Sequence, residues 1–139
     1  MASEDIILEK DMTNLELKEH ANNRVIKHKR LARYSSKQKN LDYLETLIID
    51  IIKNKHLPIL VTTPYHDSCN NNFVKEWLDK NYFNIMNDLG VRYNIDYLDY
   101  SHDNRFCLND NYFYNSDHLN SEGRNIFSSV IFHDINLDL

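Results

Sequence analysis

The chain has 139 residues, 42% hydrophobic and 12% aromatic, with a net charge of −5 when His is neutral. That length suits a single domain over residues 1–139, and the aromatic content excludes the sparse, highly charged composition of disordered chains. Sixteen basic residues against 21 acidic ones leave no field that would collect nucleic acid, and no apolar run nears the ~20 residues of a membrane span. The cluster Lys27, Lys29, Arg30 and Arg33 around His28 reads as a solvated helix face. Gly90 and Gly123 are the whole glycine complement, which excludes Gly-rich phosphate loops. Cys69 and Cys107 form no CxxC pair, and the scattered His20, His28, His56, His102 and His133 form no zinc-spaced set. No metal and no other cofactor is therefore expected. The opening MASEDIILEK lacks the basic-then-apolar layout of a signal peptide, and a reduced cytoplasmic setting is the expectation.

In chain order, Thr13-Asn14-Leu15-Glu16 fits a capping box, and Leu15, Ala21, Val25 and Leu31 recur at helical spacing. Residues 34–40 read as a polar connection. Asn40 then suits an N-cap for a second helix, whose Leu41, Leu44, Leu47, Ile48, Ile51 and Ile52 make a broad apolar face before Pro58. Ile59 to Thr63 is a short β-rich run without alternation, as in strands covered on both faces. A third helix is predicted from Asn70–Asn72, with Phe73, Val74, Trp77, Leu78, Ile85, Met86 and Leu89 inward and Gly90 as its left-handed terminator. Val91, Tyr93, Ile95 and Tyr97 alternate as a strand would, residues 101–117 read as a loop, and a last helix spans about Ser121 to His133 with Asn120 or Ser121 as cap.

Strands alternating with helices imply an α/β fold: three layers, a parallel sheet flanked by helices. Two strands are too few for a stable sheet, so a third is expected at Ile6-Ile7-Leu8 or from a second chain. Ligands of open parallel sheets bind beyond the carboxyl ends of the strands. Thr63-Pro64-Tyr65-His66-Asp67-Ser68 follows one strand, and the segment ending Asn115-Ser116-Asp117-His118-Leu119-Asn120 precedes the last helix.

The second of these segments, with Gly123 and Ile126-Phe127-Ser128 after it, resembles the terminal D-x-x-H block of SGNH/GDSL-type hydrolases. Leu60 to His66 is similar to a late strand and loop of that superfamily, so the likeness is to the carboxyl-terminal part of a flavodoxin-like fold. The resemblance implies that His118 is the base that deprotonates a nucleophilic serine. The position that orients this base, usually Asp, is Asn115, which cannot stabilise an imidazolium and can select the wrong tautomer. Asp117 is acidic, but one residue from His118 its side chain would point elsewhere. Tyr65, His66 and Ser68 are expected to line the same substrate cleft. Asp67-Ser68 mimics the nucleophile block, but His66 stands where its glycine should be.

No Gly-Asp-Ser and no Gly-x-Asn-Asp block occurs in the chain. The expectation is an SGNH-like protein of the acyl-ester hydrolase or transferase class that is incomplete or inactive alone. Its substrate would be a small acyl ester, and its partner a second copy or a separate amino-terminal chain that supplies the serine. The other reading is a non-catalytic module that dimerises or docks through an exposed sheet edge.

Overall fold

A computed structural model describes residues 12–31 and 34–137. The candidate strand Ile6-Ile7-Leu8 lies outside them. The protein is mixed α/β and mostly helical. Its elements run α1 (Asn14–Leu31), α2 (Tyr34–Lys53), β1 (Leu60–Thr62), α3 (Asp67–Asn70), α4 (Lys75–Leu78), a π-turn (Asp79–Phe83), α5 (Asn84–Tyr93), β2 (Tyr97–Asp99), α6 (Asn104–Cys107), a 3₁₀ turn (Asp110–Tyr112), β3 (Phe113–Asn115), β4 (His118–Leu119) and α7 (Ser121–Leu137). They divide into two compact units. One takes in the chain up to Arg24, Pro64–Asn72 and the chain from Ser101, and the other Val25–Thr63 and Phe73–Tyr100.

The second unit is built on a parallel pair. β1 and β2 align Leu60 with Tyr97, Val61 with Leu98 and Thr62 with Asp99. Ile48, Leu60, Leu89 and Ile95 form the buried core, with Leu41, Leu44, Ile85, Met86, Tyr93 and Tyr97 packed on it. This is the apolar face predicted for the second helix, although Leu47 and Ile52 of that set are exposed. The helix itself starts at Tyr34, not after Asn40, because Ser36 to Lys39 are polar but carry no helix breaker. It ends in a Schellman turn: Lys55 is left-handed at φ 61°, and the His56 and Lys55 amides donate to the carbonyls of Ile51 and Ile52.

α5 ends similarly, and here the prediction for Gly90 fails. Asn94 takes the left-handed position at φ 49°, four residues beyond Gly90, which stays inside the helix. Gly90 serves a different need. A Cβ there would sit 3.1 Å from the Ile95 carbonyl oxygen, and the Ile95 amide donates to the Gly90 carbonyl at 3.0 Å. The alternation from Val91 is therefore half helix and half strand: Val91 and Tyr93 belong to α5, and only Tyr97 to Asp99 pair. Trp77 is half-buried and stacks on Phe73 at 5.6 Å, so it is not core.

The first unit opens with the predicted capping box. Thr13 donates through its amide at 2.8 Å and its hydroxyl at 2.7 Å to the Glu16 carboxylate, and the Glu16 amide returns to the Thr13 hydroxyl. Ala21 in α1 is buried, as expected, but Leu15 is exposed. The stretch read as a loop holds α6, the 3₁₀ turn and β3, short elements that periodicity over longer windows does not register. β3 and β4 form an irregular antiparallel hairpin, Phe113 facing Leu119 and Asn115 facing His118. Asn120 caps α7, its side chain accepting from the Gly123 amide at 2.9 Å.

Candidate functional site

Two histidine clusters stand in the first unit, on segments joined by main-chain bonds. The Tyr65 amide donates to the Ser101 carbonyl at 3.3 Å, and the His66 amide to the Ser116 carbonyl at 3.0 Å. Asn70 and Cys107 add side-chain bonds to that same Ser101 oxygen, at 2.8 Å and 3.3 Å. The loop after β1 is thus tied both to the segment after β2 and to the hairpin that carries His118.

The hairpin turn brings Asn115, Asp117 and His118 together. His118 Nδ1 lies 2.9 Å from Asn115 Oδ1 and 3.2 Å from Asp117 Oδ1. Asp117 therefore reaches the imidazole, contrary to the expectation that it would point away. Residues 116 and 117 form a turn, and the alternation of an extended strand does not apply there. The Asp117 carboxylate is 1% exposed and is gripped by Arg24, whose Nε and Nη2 donate to its two oxygens at 2.8 and 2.6 Å. This fork-on-fork pairing is the geometry that best compensates a buried carboxylate.

Three groups around Nδ1 bear on the tautomer of His118. The Asp117 amide donates to Asn115 Oδ1 at 3.2 Å, which orients the amide so that its oxygen faces the ring. Nδ1 then meets two acceptor oxygens. Arg24 Nη2 is also 3.2 Å away but spends its shorter bond on Asp117. In the Nδ1–H form the two oxygens accept and Nε2 carries the lone pair, whereas in the Nε2–H form Nδ1 accepts from Arg24. Asn115 meets the ring through its oxygen, which can accept only from an Nδ1–H ring. The His118 side chain is 61% exposed, and Nε2 bonds to no described residue.

His66 is a different kind of histidine. It caps α3: Nδ1 accepts from the Ser68 amide at 3.2 Å and lies 2.7 Å from Ser68 Oγ. A backbone N–H can only donate, so Nδ1 carries the lone pair and Nε2 the proton. Nε2–H then donates to Asp110 Oδ1 at 2.8 Å. The ring is buried and meets Phe113 edge-on at 5.2 Å between centroids. Tyr65 is half-buried in the same loop and contributes its amide and carbonyl to the main-chain ties.

Asp110 and Arg24 were not singled out in the sequence. Asp110 lies 44 residues from His66, and Arg24 lies 93 from Asp117, so no local spacing could have signalled either. Burial pushes the Cys107 thiol up to about 11, with the Asp103 charge acting in the same direction, so that thiol stays protonated and donates to Ser101. Both cysteines are buried and free. Among the described residues no group of three or more His, Cys, Asp or Glu could hold a metal ion, and no helix is long and apolar enough to cross a membrane. No protein family, no curated protein and no solved structure matches the chain.

Proposed function

We propose that the chain carries the histidine side of an SGNH-type acyl-ester hydrolase or transferase site, with His118 as general base. The observation that carries this reading is the 2.9 Å approach of His118 Nδ1 to Asn115 Oδ1 on an exposed ring; in the reading Nδ1 carries the proton and Nε2 the lone pair. In this reading Asn115 positions the ring. Asp117, held by Arg24, supplies the negative charge that favours the imidazolium once a proton is taken. A small acyl ester would be the substrate. The finer architecture, a three-layer parallel sheet flanked by helices, belongs to the same proposal, and the parallel β1–β2 pair supports it. A cytoplasmic setting is part of the same proposal, and two buried cysteines outside any disulfide are consistent with it.

These 139 residues hold no Gly-Asp-Ser block, so in this reading the hydroxyl that His118 serves comes from outside them, from an upstream segment or a separate polypeptide. Long-range nitrogen–proton NMR correlations of the His118 ring test the base. The Nδ1–H tautomer is expected, with its preference weakened in Asn115→Ala, and an Nε2–H ring in the native protein would defeat the reading. With a short-chain p-nitrophenyl ester, the native chain and His118→Ala should react at rates within about twofold. A tenfold loss in the variant would show that His118 already has its hydroxyl in this chain.

The second reading is a docking module that pairs through a sheet edge, as a homodimer. It is favoured by the small size of the β1–β2 sheet, which has two strands among the described residues, fewer than a sheet needs for stability by itself. Light scattering on a sizing column decides: an obligate dimer supports it, and a stable monomer across concentration removes it.

A further inference from the structure

We propose that Ser68, His66 and Asp110 form a second, self-contained centre in which Ser68 takes an acyl group from an activated acyl ester. The inference goes beyond the His118 reading and does not depend on it.

The array runs Ser68 Oγ, 2.7 Å to His66 Nδ1, then from His66 Nε2 2.8 Å to Asp110 Oδ1. A hydroxyl activated by a base that a carboxylate orients is recognised by these relations and not by chain order or by which ring nitrogen faces the serine. Here Nδ1 faces Ser68, and the donated Ser68 amide forces the lone pair onto that nitrogen. Helix capping alone accounts for the amide bond. It accounts neither for the hydroxyl drawn to the same lone pair nor for the carboxylate behind the ring. Asp110 is 74% exposed and would be solvated without His66, yet it meets Nε2–H at a charge-assisted distance. The imidazole is buried, packed edge-on to Phe113 and anchored by its own amide on Ser116, so it is held ready rather than swinging.

In the step, Ser68 Oγ bonds to the acyl carbonyl carbon and its proton passes to His66 Nδ1. The resulting imidazolium is stabilised by Asp110. The tetrahedral adduct then breaks its bond to the leaving alkoxide, which takes that proton from Nδ1 and departs as the alcohol. Ser68 remains O-acylated until water, deprotonated at Nδ1, removes the acyl group. The three side chains of the array supply no oxyanion donor themselves, and each such donor is worth about 10²–10³ in rate. The expected behaviour is therefore acylation by activated esters, and phosphonylation by fluorophosphonates as the P–F bond breaks and fluoride leaves, one group per chain, with slow release.

The experiment follows labelling of the full chain by a fluorophosphonate and by p-nitrophenyl acetate, with the adduct located by peptide mass spectrometry. One adduct on Ser68 is expected, absent in Ser68→Ala. His66→Asn keeps a capping acceptor for α3 but has no base, and should slow labelling by about a hundredfold or more. Asp110→Asn, at an exposed position, should slow it by about tenfold, less than in a buried triad because solvent screens the charge. His56→Ala, at an exposed histidine of the second unit, should label at the native rate. An unlabelled Ser68 in the native chain overturns the proposal, as does His66→Asn or Asp110→Asn reacting as fast as the native chain. A rate that falls only in His118→Ala would overturn it too, and would assign Ser68 to the other histidine.

Discussion

His118 and His66 differ in what their Nδ1 atoms meet. Nδ1 of His118 faces two side-chain oxygens and the Arg24 guanidinium, while Nε2 is turned outward. The Ser68 amide and hydroxyl stand before Nδ1 of His66, so Nδ1 carries the lone pair and Nε2 the proton. Cys107 illustrates the same dependence on surroundings. Its Sγ–H is bonded to the Ser101 carbonyl, and burial holds it protonated far above neutral pH. Alkylation by iodoacetamide at pH 8 should therefore be at least about a hundredfold slower than for an exposed thiol, whose ordinary pKa is about 8.5. Full reaction within minutes without denaturant would contradict the packing of α6.

At the scale of elements, close approach explains where the glycines lie. The ideal Cβ of Gly123 would stand 2.2 Å from the Tyr112 carbonyl oxygen, and that same oxygen accepts the Asn120 amide at 2.9 Å. The start of α7 is thus pressed against the 3₁₀ turn that also carries Asp110. Gly123→Ala should cost roughly 1–3 kcal/mol of stability by overpacking, read as a lower urea midpoint with an unchanged slope. It should also disturb the Asp110–His66 bond, since helix and turn must part. Stability equal to the native chain would mean that α7 docks less tightly on Tyr112.

For the whole molecule, several carboxylates are held below their usual range by partners that favour the ionised form. The Thr13 bonds do this for Glu16, Arg92 for Glu45 and Arg105 for Asp103. A depressed folded pKa means that the unfolded chain binds more protons, so the stabilisation is present above the ordinary carboxylate range and is lost as pH falls through it. The melting temperature should accordingly decline as pH drops from about 5 to about 3. Asp103→Asn retains an oxygen to cap α6, where Asp103 accepts from the Arg105 amide, but removes the charge facing Arg105. Its melting curve should fall less steeply with acid, and an identical slope would show that Asp103 does not contribute.

Local patterns in the chain were enough for some of this. The capping box at Thr13, the apolar face of α2 around Ile48, the short run at Leu60 and the cap at Asn120 all depend on residues within one or two turns of each other, so spacing reveals them. The ends of α2 and α5 were not legible. Lys55 and Asn94 are left-handed because the chain must turn back there, and Gly90 supplies clearance instead of a turn.

The amino-acid order by itself determined where helices and strands recur and that His118 sits next to Asn115 and Asp117 in a turn-rich segment. Only the tertiary structure decided what those groups do. Arg24 came from 93 residues away to hold Asp117, and Asp110 from 44 residues away to hold His66. A proton's position on an imidazole is set by atoms within about 3 Å, and chain folding, not sequence spacing, chooses those atoms.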